Sequence, residues 1–85
     1  DPAKSEKNIV KHGVSFEEAT TVFADRSSLT IHDPDHSESE DRFVTLGISA
    51  KGRLLIVCHV DRKENIRIIS SRKATRREAI QYSQQ

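Results

Sequence analysis

The chain has 85 residues, of which 32% are charged, and its 14 lysines and arginines nearly balance 13 acidic residues. This length suits one domain, residues 1–85, with a small core and no large enclosed pocket. The aliphatic residues cluster in short segments, which favours a globular domain over a disordered chain. The single cysteine, Cys58, lies in an apolar run and cannot form an internal disulfide, which indicates a buried, inert thiol and a reducing compartment. No apolar stretch approaches the roughly 20 residues that cross a bilayer, and the first residues do not resemble a signal peptide, so a cytoplasmic protein is expected.

Two helix signals open the chain. Pro2 fits a first helical turn behind Asp1 as N-cap, and Gly13 permits a left-handed C-terminal cap. The segment 15–18, Ser-Phe-Glu-Glu, has the spacing of a capping box, in which the serine and glutamate side chains satisfy backbone donors at a helix start. Apolar residues follow at helical spacing, so a second helix is predicted over roughly residues 16–24.

Short apolar runs after this helix predict an antiparallel sheet. The polar segment 33–41 is expected to be a solvated loop, and the later connections suit hairpins. The segment 75–78, Thr-Arg-Arg-Glu, repeats the capping-box spacing and opens a last helix. The predicted fold is therefore α+β, with two N-terminal helices, a sheet of about four strands and a C-terminal helix. The strands are predicted at 29–31, 43–48, 54–60 and 66–71.

The apolar pattern of the last hairpin predicts its register. Pairing Val60 with Ile66 gathers apolar residues on one face of the sheet and sets His59 beside Arg67 on the other. A slip by one residue would place Arg67 beside Cys58 and mix charge into an apolar face. In the favoured register, His59 is the neighbour of Arg67. A histidine can exchange a proton near neutral pH, and an arginine can bind phosphate.

Positive charge is concentrated where the last strand passes into the last helix. For binding to nucleic acid, this local charge matters more than the near-neutral total. Cations in the first turn of a helix oppose the helix dipole, so their presence points to an anion or an acidic partner, with a solvated face as the alternative. The cations of this basic end are Arg67, Arg72, Lys73, Arg76 and Arg77.

Five ordered blocks of sequence, spread over nearly the whole chain, follow a known pattern. They are Asn8-Ile-Val-Lys-His-Gly-Val-Ser-Phe-Glu-Glu-Ala19, Asp33-Pro-Asp-His-Ser37, Arg42-Phe43, Gly52-Arg-Leu-Leu-Ile-Val57 and Ile66-Arg-Ile-Ile-Ser-Ser-Arg-Lys-Ala-Thr75. The chain resembles the BrnT toxins in these blocks. The resemblance implies a RelE-like fold and a ribonuclease toxin of a bacterial type II toxin–antitoxin pair. It also implies a short strand before the Asp-Pro pair, which would lie ahead of Asp1.

Cleavage of RNA without a metal or cofactor needs a base for the 2′-hydroxyl proton, cations for the crowded phosphate and an acid for the leaving oxygen. His59 is the candidate for proton transfer, and Arg67, Arg72 and Arg76 are the candidates for the phosphate. The resemblance to RelE-like nucleases adds Tyr82, an aromatic residue near the C-terminus. Further contacts to RNA are predicted for Lys11, His12, Arg53, Lys73 and Arg77.

Several of these residues have a structural alternative. His59, inside an apolar strand, also fits a packed and hydrogen-bonded histidine. Arg67 also fits a strand-surface residue paired with a carboxylate, and the pair 11–12 also fits the negative end of the first helix. The segment 32–36, His-Asp-Pro-Asp-His, has no specific metal-ligand spacing, so a solvated loop or an antitoxin contact is preferred and no metal is predicted.

The resemblance also implies the partners and the biological effect. A toxin of this family would inhibit translation by cleaving RNA and would be neutralised by a BrnA-like ribbon-helix-helix antitoxin, in a heterotetramer. Operator DNA would be contacted only through the antitoxin, because the last helix is too short and too mixed in charge to read a major groove. Two alternatives are a non-catalytic module that binds its antitoxin and a gyrase-directed toxin of the same fold, since a fold does not fix its activity.

Overall fold

The computed structural model describes residues 2–85, so the N-cap predicted at Asp1 lies outside the described residues. The elements are α1 (Pro2–His12), α2 (Phe16–Thr20), β1 (Leu29–Asp33), β2 (Arg42–Ile48), β3 (Leu54–Asp61), β4 (Ile66–Lys73) and α3 (Arg76–Ser83). Short 3-10 helices follow α2 at Thr21–Ala24 and β1 at Pro34–His36. The four strands form one antiparallel sheet in the order β1-β2-β3-β4, as predicted. The α+β class is confirmed.

Helix α1 ends at the predicted glycine cap. Gly13 has a φ of 72°, in the left-handed region that glycine adopts without a steric penalty, and its amide donates to the Ile9 carbonyl at 2.7 Å. At the start of α2, the Ser15 hydroxyl accepts from the Glu18 amide at 3.0 Å. The other half of the predicted capping box is wrong, because the Glu18 carboxylate bonds Ser49 and Arg53 instead.

The second helix is shorter than predicted. The α-helical turns end at Thr20, and residues 21–24 continue as a 3-10 helix. Thr20 and Thr21 each donate a side-chain hydrogen bond to the carbonyl three residues earlier, at 2.7 and 2.6 Å. Such local bonds compete with the regular α-helical ladder. Close packing on β2 accompanies this change, since a Cβ placed on Gly47 would lie 3.2 Å from the Val22 Cβ.

The helices α1 and α2 cover one side of the sheet and enclose the main core. Phe16 and Phe23 are partly buried against it. Burial of this apolar area is the main stabilising contribution to a domain of this size. The core cluster consists of Val14, Ala19, Val22, Leu55, Val57 and Ile68. We call this side of the sheet the core face and the opposite side, against which α3 lies, the outer face.

A buried asparagine attaches α1 to the edge strand β4. The Asn8 side-chain amide donates to the carbonyls of Val14 and Ser71 at 2.7 and 2.8 Å, and its oxygen accepts from the Ser71 amide at 3.2 Å. The Ser71 hydroxyl donates in turn to the Ile56 carbonyl at 2.9 Å. Because buried polar groups are costly unless they are paired, these bonds fix Ser71 at the core face.

The predicted register of the last hairpin is wrong, because Ile66 pairs with Asp61 instead of Val60. Further along the hairpin, β4 contains a β-bulge. Ser70 pairs with Cys58, whereas Ile68 pairs with His59, so Ile69 is an additional residue on β4. Ile68 and Ser71 are three residues apart and would face opposite sides of a regular strand. The bulge allows both to face the core, and it changes the face of every residue on one side of it.

The outer face is apolar but only partly covered. Ile56 and Val60 are buried there, whereas Ile31 is 65% exposed. Cys58 is half-buried on this face and is not in a disulfide, so the prediction of a fully buried thiol is wrong. Helix α3 lies against β2 and leaves Ile80 50% exposed.

Candidate nucleic-acid interface

The β-bulge determines which cations of the basic end lie together. Arg67 pairs with Val60 and Arg72 with Ile56, and these two partners are on the same face of β3. In a regular strand, residues five apart would point to opposite faces. The bulge therefore places Arg67 and Arg72 together on the outer face. On β2, Arg42 also pairs with Val60, which puts a third arginine in this row, one that the sequence analysis missed.

Arg72 is held in place by the first turn of α3. Its two terminal nitrogens donate to the two carboxylate oxygens of Glu78 at 2.8 and 2.9 Å. This bond from Arg72 holds the pKa of Glu78 at about 2, below its usual range, and raises the pKa of Arg72. Glu78 also accepts from the Thr75 amide at 2.7 Å while the Thr75 hydroxyl accepts from Glu78, so the predicted capping box is confirmed here. A bidentate pair of this kind orients the guanidinium.

The other four cations of the basic end are exposed. Within residues 2–85, no side-chain hydrogen bond or ion pair is found for them. Unneutralised arginines and lysines on one stretch of surface create a positive potential that attracts phosphates. These residues are Arg67, Lys73, Arg76 and Arg77.

His59 does not lie beside Arg67, contrary to the predicted register. It faces the core, is 1% exposed, and packs edge-on to Phe23 at 4.9 Å between ring centroids. One ring nitrogen is 2.7 Å from the Thr45 hydroxyl and the other is 2.6 Å from the Asp61 carboxylate. Both nitrogens therefore have partners, as the structural alternative for this histidine required.

Tyr82 is tied to the turn before β1. Its hydroxyl donates to the Asp25 carboxylate at 2.5 Å, which raises the pKa of Tyr82. Asp25 also accepts from the Ile48 amide at 2.9 Å, and this bond is the main reason that the pKa of Asp25 is lowered. The predicted site residue thus anchors the last helix to the body of the domain.

The predicted RNA contacts outside the basic end lie in two different environments. Lys11 is exposed and His12 is half-buried at the end of α1. Arg53 instead forms an ion pair with Glu18, which is 5% exposed, and donates to the Gly13 carbonyl at 2.9 Å. The bond from Arg53 is the main cause that lowers the pKa of Glu18 to about 2. Arg53 is therefore engaged in holding the fold together.

A second group of cations lines a cleft between α1 and the β3–β4 hairpin. The cleft has a volume of about 480 Å³. No sequence pattern indicates this cleft, because Lys4 and the residues of the hairpin are separated by some 60 positions and only packing brings them together. It is lined by Lys4, Phe16, Arg62, Asn65, Ile66, Arg67 and Ile68.

The two histidines of the segment 32–36 are paired with carboxylates. His32 lies 3.1 Å from Asp41, and His36 lies 2.9 Å from Asp33. Among residues 2–85, no group of three or more His, Cys, Asp or Glu side chains is arranged to hold a metal ion. No helix in that range is long and apolar enough to span a membrane.

A small α+β domain with exposed arginines at a strand-to-helix junction has a surface charge that suits polyanions such as nucleic acids. Comparison with known protein families identifies the family of this chain. Residues 1–78 match the family described as ribonuclease toxin, BrnT, of type II toxin-antitoxin system, so the chain belongs to the BrnT family. This confirms the resemblance in the sequence blocks, and a type II system implies an antitoxin partner. No curated protein matches the chain.

Proposed function

We propose that this protein is a metal-independent endoribonuclease that inhibits translation and uses its basic end to bind the scissile phosphate. The observation that carries the proposal is the placement of Arg67 and Arg72 on one face by the β4 bulge. Arginine suits this role because it stays charged and donates paired hydrogen bonds. Arg76, Arg77 and Lys73 would bind the flanking backbone.

The arginines would act by electrostatic stabilisation. As the 2′-oxygen attacks phosphorus and the bond to the 5′-oxygen breaks, negative charge grows on the phosphate oxygens, where fixed cations lower the barrier. The 2′-hydroxyl proton would pass to water at this open surface and the leaving oxygen would take a proton from water. His59 would support the sheet from the core face instead of exchanging these protons, and Tyr82 would anchor α3.

The proposed partner is a BrnA-like ribbon-helix-helix antitoxin, and operator DNA would be bound through it. Ile31 and Ile80 are half or more exposed, and exposed apolar residues beside cations suit a protein partner. The complex would be a heterotetramer of two toxins and two antitoxins. The domain, residues 1–85, would work in the cytoplasm with a RelE-like fold and without a cofactor.

Incubation of total RNA with the purified, partner-free chain in the presence of a chelator tests this function. The parent should cleave, whereas an Arg67→Ala/Arg72→Ala variant of unchanged circular dichroism should lose cleavage by roughly 100-fold or more, as removal of a charge-stabilising donor does. Arg26→Ala is the matched control, since Arg26 is exposed and lies away from the basic end.

The outcomes separate the alternatives. Cleavage by the parent and by Arg26→Ala, but not by the double variant, would support a nuclease that uses these two residues. Equal cleavage by all three proteins would show that the site lies elsewhere. No cleavage of RNA, free or with ribosomes present, together with unchanged supercoiling by DNA gyrase, would leave a module that only binds its antitoxin.

A further inference from the structure

The cleft beside α1 differs in charge from the hollow beside the 34–41 loop. Lys4, Arg62 and Arg67 line it, and none of its lining residues is acidic. The hollow beside the 34–41 loop is lined instead by Asp35, Glu38 and Glu40 among others. The cleft therefore suits an anionic ligand, and its volume of about 480 Å³ falls within the range of roughly 300–1,000 Å³ found for ligand sites.

The polar side chains of the cleft are available for a ligand. Lys4 and Arg67 are exposed and form no ion pair within residues 2–85, and in the same range the Asn65 side-chain amide makes no hydrogen bond. Arg62 contacts exposed Glu40 at 3.2 Å, a pair of little energetic weight. A free amide offers both donors and an acceptor, which can match the edge of a nucleobase.

Phe16 supplies a fixed aromatic surface in the same cleft. Its ring is half-buried and packs against the core cluster, while its amide donates to the Ser5 hydroxyl of α1 at 3.0 Å. This bond ties the start of α2 to the helical turn that carries Lys4. Because the ring is held from behind, a base stacking on it would not need to order a mobile side chain.

We propose that this cleft binds one unpaired nucleotide of an RNA strand, with the base stacked on Phe16 and its edge bonded by Asn65. Lys4 and Arg62, which line the cleft, bind the phosphates on either side. Stacking on an aromatic ring together with cations along the backbone is how proteins hold single strands. The inference rests on the proposed function.

A tryptophan at position 16 reports directly on base stacking, because the natural chain contains no tryptophan. Phe16→Trp is titrated with a short single-stranded RNA whose 2′-hydroxyls are methylated, so that it cannot be cleaved. We expect saturable quenching of the tryptophan emission, and at least fivefold weaker quenching by an oligonucleotide of the same length with abasic central positions. Val10→Trp is the matched control, since Val10 is on the same helix as Lys4 and is exposed outside the cleft. Its emission should stay constant.

Two further variants test the inference without the reporter. Phe16→Leu retains an apolar side chain for the core and should weaken binding of the same RNA by about 5- to 100-fold, the effect of losing one stacked base. Lys4→Ala should make the RNA affinity less dependent on salt. The slope of log affinity against log salt concentration should fall by about the value of one phosphate contact. Lys7→Ala, on the same helix but outside the cleft, should leave the slope unchanged.

The results distinguish this site from the wider function. If RNA binds, as fluorescence anisotropy of a labelled strand measures it, but position 16 is not quenched and Phe16→Leu binds as the parent does, then the nucleotide site is overturned while the ribonuclease proposal stands. If Phe16→Leu and Lys4→Ala weaken binding of the antitoxin but not of RNA, the cleft is a contact surface for the antitoxin. If the parent binds no RNA, both proposals fall.

Discussion

The two faces of the sheet use the same kinds of residue in opposite ways. On the core face, His59 and Arg53 each have polar partners and hold the domain together. On the outer face, Arg67 is exposed and Arg72 is oriented by Glu78. Residue type alone therefore does not separate a basic side chain that holds the domain together from one that is available to bind a ligand. The strand register and the partners within reach make that distinction.

The largest expected effect is on the core face. Arg53→Ala leaves the buried Glu18 carboxylate without its main partner, so the free energy of unfolding should fall by about 3–5 kcal/mol. Urea denaturation measures it. Arg26→Ala, at an exposed position, should change the stability by less than about 0.5 kcal/mol. Equal midpoints for the two variants would contradict a structural role for Arg53.

Acid should weaken the same ion pair. The pKa of Glu18 is lowered from 4.5 to about 2 by its bond to Arg53, so its contribution is present above pH 4.5 and is lost as the pH falls through about 2. The loss should amount to about 3 kcal/mol. Urea unfolding at a series of pH values measures it, and Arg53→Ala should show a smaller dependence in this window. If the free energy of unfolding of Arg53→Ala depends on pH as steeply as that of the parent, Arg53 is not the cause of the lowered pKa of Glu18.

Replacing the buried histidine should separate stability from activity. His59→Gln loses the ring contacts with Phe23 and Phe43 and part of the bonding to Thr45 and Asp61. It should lower the free energy of unfolding by about 2 kcal/mol. RNA cleavage per folded molecule should stay within about twofold of the parent. If the folded variant does not cleave RNA, His59 is a candidate for proton transfer after all, and its purely structural role is overturned.

On the outer face, Glu78→Gln should release Arg72 and remove one negative charge from the basic end. RNA should then bind about two- to tenfold more tightly at low salt, as anisotropy measures it. The thermal midpoint should fall, because the amide caps α3 less well, at a cost of about 1 kcal/mol. Weaker RNA binding by a folded variant would mean that the fixed orientation of Arg72 matters more than the local charge.

The smallest effect is expected at the end of α3. Tyr82→Phe retains the ring and removes the hydrogen bond to Asp25, so the free energy of unfolding should fall by about 0.5–1.5 kcal/mol. Cleavage should be unchanged when both proteins are folded. Loss of cleavage without loss of stability would restore the catalytic role that the family resemblance implied for Tyr82.

Local signals predicted the elements well. The cap at Gly13 and the capping box of residues 75–78 mark helix ends in the structure, because caps depend on side chains a few residues apart. The four strands lie within two residues of their predicted bounds. The half-formed box at Ser15 failed for a long-range reason, since Glu18 is drawn to Arg53, which is 35 positions away.

The cap at Gly13, the capping box of residues 75–78, the strand segments, the basic end and the family all follow from residue types in their local order. Packing of the whole domain selects which of these cations share a face. Ile68 and Ser71 both had to reach the core, where Asn8 holds Ser71, and only a bulge in β4 satisfies that requirement. The same extra residue put Arg67 on the same face as Arg72, because side chains alternate along a strand and one insertion reverses the alternation. Arg67 lies away from His59 for a separate reason, since the hairpin begins with Asp61 paired to Ile66.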